Sequence, residues 1–237
     1  MKKKSLLLVL CALLILSVTV NAFEFIGGAY YTIFNSEDID DMNDLIKQFN
    51  LNLETIEKIA EEDDIPIDIT KSKELKGSFG FYAGGLLPVT EKFKIGGYYE
   101  RFNLKTEGGY HLPIVNAGEK YKLQIPVNGV VGTVKINLTD YLAINGAIGY
   151  YFGEMTAEVR VYEFGSDLIN QRSKEELNGI GYKFGADINY PVNENINIFG
   201  GADYRILSVG PKDEDVPKED KLNLDGYVIR GGISYSF

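Results

Sequence analysis

Cysteine is nearly missing from this sequence: Cys11 is the only one in 237 residues, and it lies inside the first apolar run. With that run set aside no disulfide can form, so stability has to come from non-covalent packing. Tryptophan is absent, and histidine occurs once, at His111. No serine–carboxylate spacing near that histidine reads as a nucleophilic triad, so catalysis is not expected. Basic residues are scarce, with 24 Lys and Arg against 34 Asp and Glu, a formal net charge of −10. A nucleic-acid partner would need a basic footprint, and none is present. After the first run, no stretch approaches about 18 apolar residues. If the chain spans a membrane, it does so without helices.

What is there begins with MKKKSLLLVLCALLILSVTVNA. Lys2 to Lys4 supply a positive end, Leu6 to Val20 an apolar run, and Val20-Asn21-Ala22 a small-residue cleavage site, so residues 1–22 read as a secretory signal. Lipidation at Cys11 is not expected, because acylation needs a small residue just before the cysteine and Leu10 stands there. Cleavage leaves 23–237 as one domain with a formal charge of −13, since three lysines are lost.

From Phe23 onward the dominant period is two, the mark of strands with two unlike faces. Eight segments follow, at about 23–34, 77–89, 93–104, 124–138, 141–162, 177–190, 195–208 and 223–237. Three connections are tight and carry Pro, Asn or Asp, at 87–93, 138–141 and 190–195. The other four, at 35–76, 105–123, 163–176 and 209–222, are long and polar. In an antiparallel sheet such alternation trims one end and places every long loop at the other.

The two faces differ sharply. One alternate set, including Phe25, Phe79, Phe81, Val130, Ile148, Phe184, Ile198 and Ile229, contains no charged residue in 45 positions. The opposite set mixes Gly and Ser with Tyr and charged residues, as a crowded interior requires. A closed barrel satisfies all backbone hydrogen bonds without an edge, which hydrocarbon demands. The expected fold is therefore all-β: an eight-stranded antiparallel up-and-down transmembrane β-barrel, apolar side outward, with a helical insertion in the first long loop. Glycine pairs such as Gly96-Gly97 and Gly200-Gly201 fit this as places where a tight barrel bends.

The export segment, the eight strands and the ending Tyr227-x-Ile229-x-Gly231-x-Ile233-x-Tyr235-x-Phe237 together resemble the small outer-membrane β-barrels of double-membraned bacteria, the OmpA/OmpX/OmpW-like superfamily. The resemblance implies an outer-membrane location, with lipid and the barrel-assembly machinery as partners. It also implies that Tyr227, Ile229, Ile233, Tyr235 and Phe237 form the C-terminal assembly signal. It is architectural and implies no activity. Two departures stand out. There is no tryptophan for an aromatic girdle, and the first loop is unusually large.

The candidate functional residues are the inward charges: Glu24, Glu100, Asp187 and Asp203, with Lys94, Lys135, Lys183, Arg205 and Arg230. Four acids against five bases are close to balance, as buried charge must be. With a tight register at Pro191, Lys183 is expected opposite Asp203, and Arg205 near Arg230. As an ion-pair network these charges plug the lumen, which gives a structural or surface-interaction role. The alternative is a narrow polar-lined channel for small or hydrophobic solutes, which the same residue types would serve, and a third reading, a lipid-modifying enzyme, would need His111. Residues 35–76 carry 13 acids and 5 bases. Met42, Leu45, Ile46, Phe49, Leu53, Ile56 and Ile59 recur there at helical spacing, with Asn50 and Asn52 expected to split two short helices. This extracellular cap is the expected contact for any surface partner. Glu61-Glu-Asp-Asp64 lacks the spacing of a calcium loop, so no metal or cofactor is expected. A monomer is expected. The solute, ligand and partner are not legible.

Overall fold

The computed structural model describes residues 23–212 and 221–237, so the export segment at 1–22 and most of the last long connection lie outside the described residues. The elements are β1 (Glu24–Phe34), α1 (Glu37–Glu62), β2 (Asp68–Thr70), β3 (Gly77–Pro88), β4 (Phe93–Leu112), β5 (Ala117–Asn137), β6 (Leu142–Glu163), β7 (Ser166–Pro191), β8 (Ile196–Pro211), β9 (Leu222–Asn223) and β10 (Gly226–Ser236). Eight of these strands pair antiparallel in chain order, and β10 returns to β1, closing the ring. The short strands β2 and β9 add to the edges of β4 and β8.

Closure fixes the barrel's dimensions. Cross-strand partners followed once round from Glu24 pass through Leu86, Gly96, Thr133, Ala147, Lys183, Arg205 and Gly226 and arrive at Phe34. That is a stagger of 10 residues along β1, from position 24 to position 34. With a rise of about 3.3 Å per residue and a strand spacing of about 4.8 Å, it gives a tilt of roughly 40° and a backbone radius of about 8 Å. Such a ring has room inside for side chains and little else.

The three tight turns share one device. Thr90 Oγ1 accepts the Phe93 amide at 3.0 Å, Thr139 Oγ1 the Leu142 amide at 3.0 Å, and Asn193 Oδ1 the Ile196 amide at 2.8 Å. Each short side chain stands in for a backbone acceptor and stops one strand where the next begins.

Two expected loops are not loops. Strand pairing runs through 105–123 and 163–176, interrupted only at tips near Pro113–Asn116 and Phe164–Gly165. Alternation never stops in these segments, but their outward positions change from apolar to charged, and polarity there imitates a loop. Phe164 and Gly165 both adopt positive φ, 51° and 77°, the geometry of a two-residue hairpin turn. The Gly165 amide also bonds the Asn116 carbonyl at 3.1 Å, joining the two tips. β4 to β7 therefore rise above the mouth as one wall.

The insertion is one helix of 26 residues, not two. Asn50 does not break it, because its side chain is engaged elsewhere: it accepts the Ser72 amide at 2.8 Å and donates to the Ser72 carbonyl at 2.9 Å. Its buried face is Ile39, Ile46 and Leu53, whereas Leu45 and Ile59 from the expected apolar stripe are exposed.

Candidate functional site

Side-chain burial separates the barrel's faces. Phe25, Phe79, Phe81, Val130, Ile148, Ile180, Phe184, Ile198 and Ile229 are exposed on the outside, while Glu24, Glu100, Lys135, Lys183, Asp187, Asp203 and Arg205 are buried. A sheet in water would do the reverse. The lumen is accordingly the first candidate site.

Its charges meet at three levels. Nearest the tight turns, Lys94 pairs with Glu24. In the middle, Asp187 receives Lys135 at 3.2 Å and Arg230 at 2.8 Å, and Arg230 Nε also reaches Asp203 at 3.1 Å. Lys135 donates a further bond to Asn189 at 2.9 Å. Above this, Lys183 donates to Glu100 at 2.6 Å, and the Tyr151 hydroxyl donates to the other Glu100 oxygen, also at 2.6 Å. All nine charged residues face inward, but two expected neighbours differ. Lys183 stands opposite Arg205, and Asp203 opposite Gly185, because the Pro191 turn closes two residues later than a minimal register, with Pro191 paired to Asn197. Arg205 faces Gly226, and Arg230 faces Gly201. The two like charges across β7 and β8 have Glu100 of β4 as their nearby counter-charge: it bonds Lys183 and attracts Arg205 through space, without a direct hydrogen bond to it. Arg205 is fully buried, its guanidinium 4.2 Å from the Phe102 ring and 5.7 Å from the Phe34 ring.

Tyr151 was not legible as a site residue, although a signal for it exists. Gly129, Gly149 and Gly181 lie on adjacent strands β5, β6 and β7. A Cβ at any of them would come within 2.7–2.8 Å of the Tyr151 ring. Three glycines at one level on neighbouring strands mark the space for a large side chain.

Over the ionic levels lies an apolar layer that polarity counting also missed. Phe102, Leu104, Ile125, Val127, Leu207 and Val209 all point inward and are buried. α1 roofs this layer. Ser36 Oγ donates to the Asn223 carbonyl at 2.7 Å, and Asp38 accepts the Asn223 amide at 2.6 Å, tying the first turn to β9. Asn43 accepts the Leu75 amide at 2.6 Å. Asn43 and Asn50 thus clamp the returning segment to the helix, and the exposed Lys71–Glu54 pair at 2.9 Å adds to this. Phe49 packs against Tyr121 of the wall, with ring centres 5.9 Å apart, and burial pushes the Tyr121 phenol up from its ordinary value.

His111 is a strand residue of β4. Its Nδ1 is 3.0 Å from the Tyr162 hydroxyl, and the two rings stack with centres 5.9 Å apart. The residues of the C-terminal ending, Tyr227, Ile229, Ile233, Tyr235 and Phe237, all face outward on or just beyond β10. The Phe237 amide bonds the Phe23 carbonyl at 3.2 Å, so the last residue helps complete the ring.

A closed eight-stranded ring with an apolar exterior and a filled, ionic interior is the architecture of the small outer-membrane β-barrels. No protein-family model matches the chain, and no curated protein matches it. Among solved structures it is similar to Ail, the attachment invasion locus protein of Yersinia pestis, at 12% identity, 92% of this chain and 100% of that one, with a TM-score of 0.46. The same figures hold for Ail bound to the heparin analogue sucrose octasulfate. The outer membrane protease OmpT from Escherichia coli follows at 11% identity, 92% of this chain and 97% of that one, with a TM-score of 0.39. These likenesses carry nothing about activity, and the barrel itself rests on the ring of strand pairing.

Proposed function

We propose that this chain is an integral outer-membrane barrel that does not conduct, and that it acts at the cell surface through its roofed, protruding end. The observation that carries this reading is the stack of ion pairs across the lumen, sealed above by an apolar layer and by α1. A ring of about 8 Å radius filled in this way leaves no continuous polar path for solutes. Buried pairs of this kind fix register at least as much as they stabilise. In this reading the wall and α1 are extracellular, lipid is the surrounding solvent, and Tyr227, Ile229, Ile233, Tyr235 and Phe237 form the signal read during assembly. The protein works as a monomer, and the His111–Tyr162 pair is assigned no reaction.

Planar-bilayer recording of the refolded protein tests the plug. No steady unitary openings are expected. Openings whose conductance changes on Lys94→Ala or Arg205→Ala substitution would replace this reading with the narrow channel. Protease treatment of intact cells tests orientation: cleavage confined to 35–76 and the wall tips is expected, and cleavage only after the outer membrane is broken would reverse it.

A further inference from the structure

We infer that a cleft at the top of the wall is a binding site for a neutral oligosaccharide. The inference rests on the surface-interaction reading and gives it a ligand class. The cleft has a volume of about 740 Å³ and lies where β2 pairs along the outer part of β4, next to β5 and β6. That volume is within the range of small-molecule sites, roughly 300–1,000 Å³. Glycines shape it. Gly108, Gly109 and Gly165 are among its lining residues, so no side chain projects into it from those positions. At Gly109 the backbone has φ +150° and passes so close to the Glu119 carbonyl that a Cβ would strike it.

Its lining selects the ligand by elimination. No aliphatic side chain is among the described residues that line it, which argues against a lipid or an apolar small molecule. Three carboxylates (Asp68, Glu107, Glu158) face three cations (Lys120, Lys122, Arg160). A polyanion would meet as much repulsion as attraction there. Charges of both signs spaced along a trough match a ligand whose every polar group both donates and accepts, and a sugar hydroxyl is such a group. The charges are also unevenly engaged. Glu107 is bonded to Lys105 at 2.7 Å and Arg160 to Asp167 at 2.6 Å, whereas Asp68, Lys120, Lys122 and Glu158 form no salt bridge among the described residues. His111 and Tyr162 close the upper end, with Lys120 and Arg160 5.9 Å and 5.6 Å from the Tyr162 ring centre. Both cations thus stand beside the one Tyr162 ring, which gathers positive charge at this end of the cleft.

The test uses the full mature chain, refolded in detergent, on a printed array of neutral and anionic oligosaccharides. Calorimetry follows on the neutral probe that binds best. Retention of neutral glycans is expected, with little change between low and high salt. Glu158→Gln and Lys120→Ala should each weaken binding about tenfold, as removal of a charged hydrogen-bonding partner does. Leu168→Ser, on the exposed outer hairpin and outside the cleft, should leave it unchanged. Heat-modifiable gel migration verifies that each variant is a folded barrel. Retention of sulfated or uronate glycans alone, lost at high salt, would overturn the inference. So would binding indifferent to Glu158→Gln and Lys120→Ala, or no retention at all. Bilayer recordings on the same samples report the lumen separately, so a failed cleft and a conducting barrel give different results.

Discussion

The lower ring and the upper wall are built from the same strands, in a register that shifts only near the tip, between Val161 and Tyr162, yet their faces are inverted. On β6, Ile144, Ile148, Tyr150 and Phe152 point outward in the ring, and two residues further on the outward positions become Glu154, Thr156, Glu158 and Arg160. The inward positions change in the opposite sense. On β4 they run Lys94, Tyr98 and Glu100, then Phe102 and Leu104. β5 inverts at the same height, where Val130 gives way to Asn128 outside and Val127 and Ile125 lie inside. A strand has no preference of its own for either arrangement; the solvent on each side decides. The changeover falls near Arg101, Asn128, Phe152 and Asn178 on the four strands, and in the proposed orientation it marks the outer edge of the apolar band. Above it, α1 gives the inner apolar face something to pack against.

If this is right, equivalent substitutions should have unequal effects in the two regions. The largest difference is expected for carboxylates. Glu100→Ala leaves Lys183 and Arg205 without their shared counter-charge in the closed lumen, which should destabilise the barrel by about 3–5 kcal/mol. Glu107→Ala, on the water-facing side of the same strand, removes only its exposed pair with Lys105. Urea unfolding in lipid vesicles, followed by gel migration, measures both. Equal midpoints for the two variants would mean that the lumen is wet.

The next difference concerns the outer face. Ile148→Arg places a charge near the middle of the apolar band, at a cost of about 2–4 kcal/mol. Thr156→Arg, eight positions along on the same face of β6, should leave unfolding unchanged, because it already stands in water. A similar loss at both sites would move the membrane boundary up into the wall.

The ring was legible and the wall was not, for one physical reason. In the ring the outward face is uniformly apolar, so from Phe79 to Leu87 and from Leu142 to Phe152 period two and polarity agree at most positions, inward Leu86, Ala143 and Tyr151 being exceptions. In the wall, alternation persists while both faces change chemistry, so Lys105, Glu107, Lys120 and Lys122 look like loop residues. The lumen charges were legible as a set because an inward charge on a lipid-clad strand has no other place to go. Their partners depended on register, which Asn193 sets by capping Ile196, and on Glu100 reaching across the lumen. Asn50 suggested a helix break for a similar reason. Nothing nearby in the sequence indicates that its amide is taken up by Ser72.

The roof should loosen before either region of the barrel does. Asn43→Ala strands the buried Leu75 amide, a loss of roughly 1–3 kcal/mol to the seating of α1 and not to the ring. Cleavage within 35–76 should quicken while heat-modifiable migration holds; a fall in both would make α1 part of the barrel's own stability. The Glu54–Lys71 pair is the smallest term, being exposed and screened by salt. Its hydrogen bond from Lys71 lowers the Glu54 carboxyl below the ordinary glutamate value of 4.5. A lowered carboxyl contributes its stabilisation above that ordinary value and loses it as the pH falls through the lowered one. Protease release of α1 should therefore increase slightly on acidification below the ordinary glutamate range, and this increment should vanish in Lys71→Ala. An acid-induced release that survives in Lys71→Ala would assign the sensitivity to another contact of the roof.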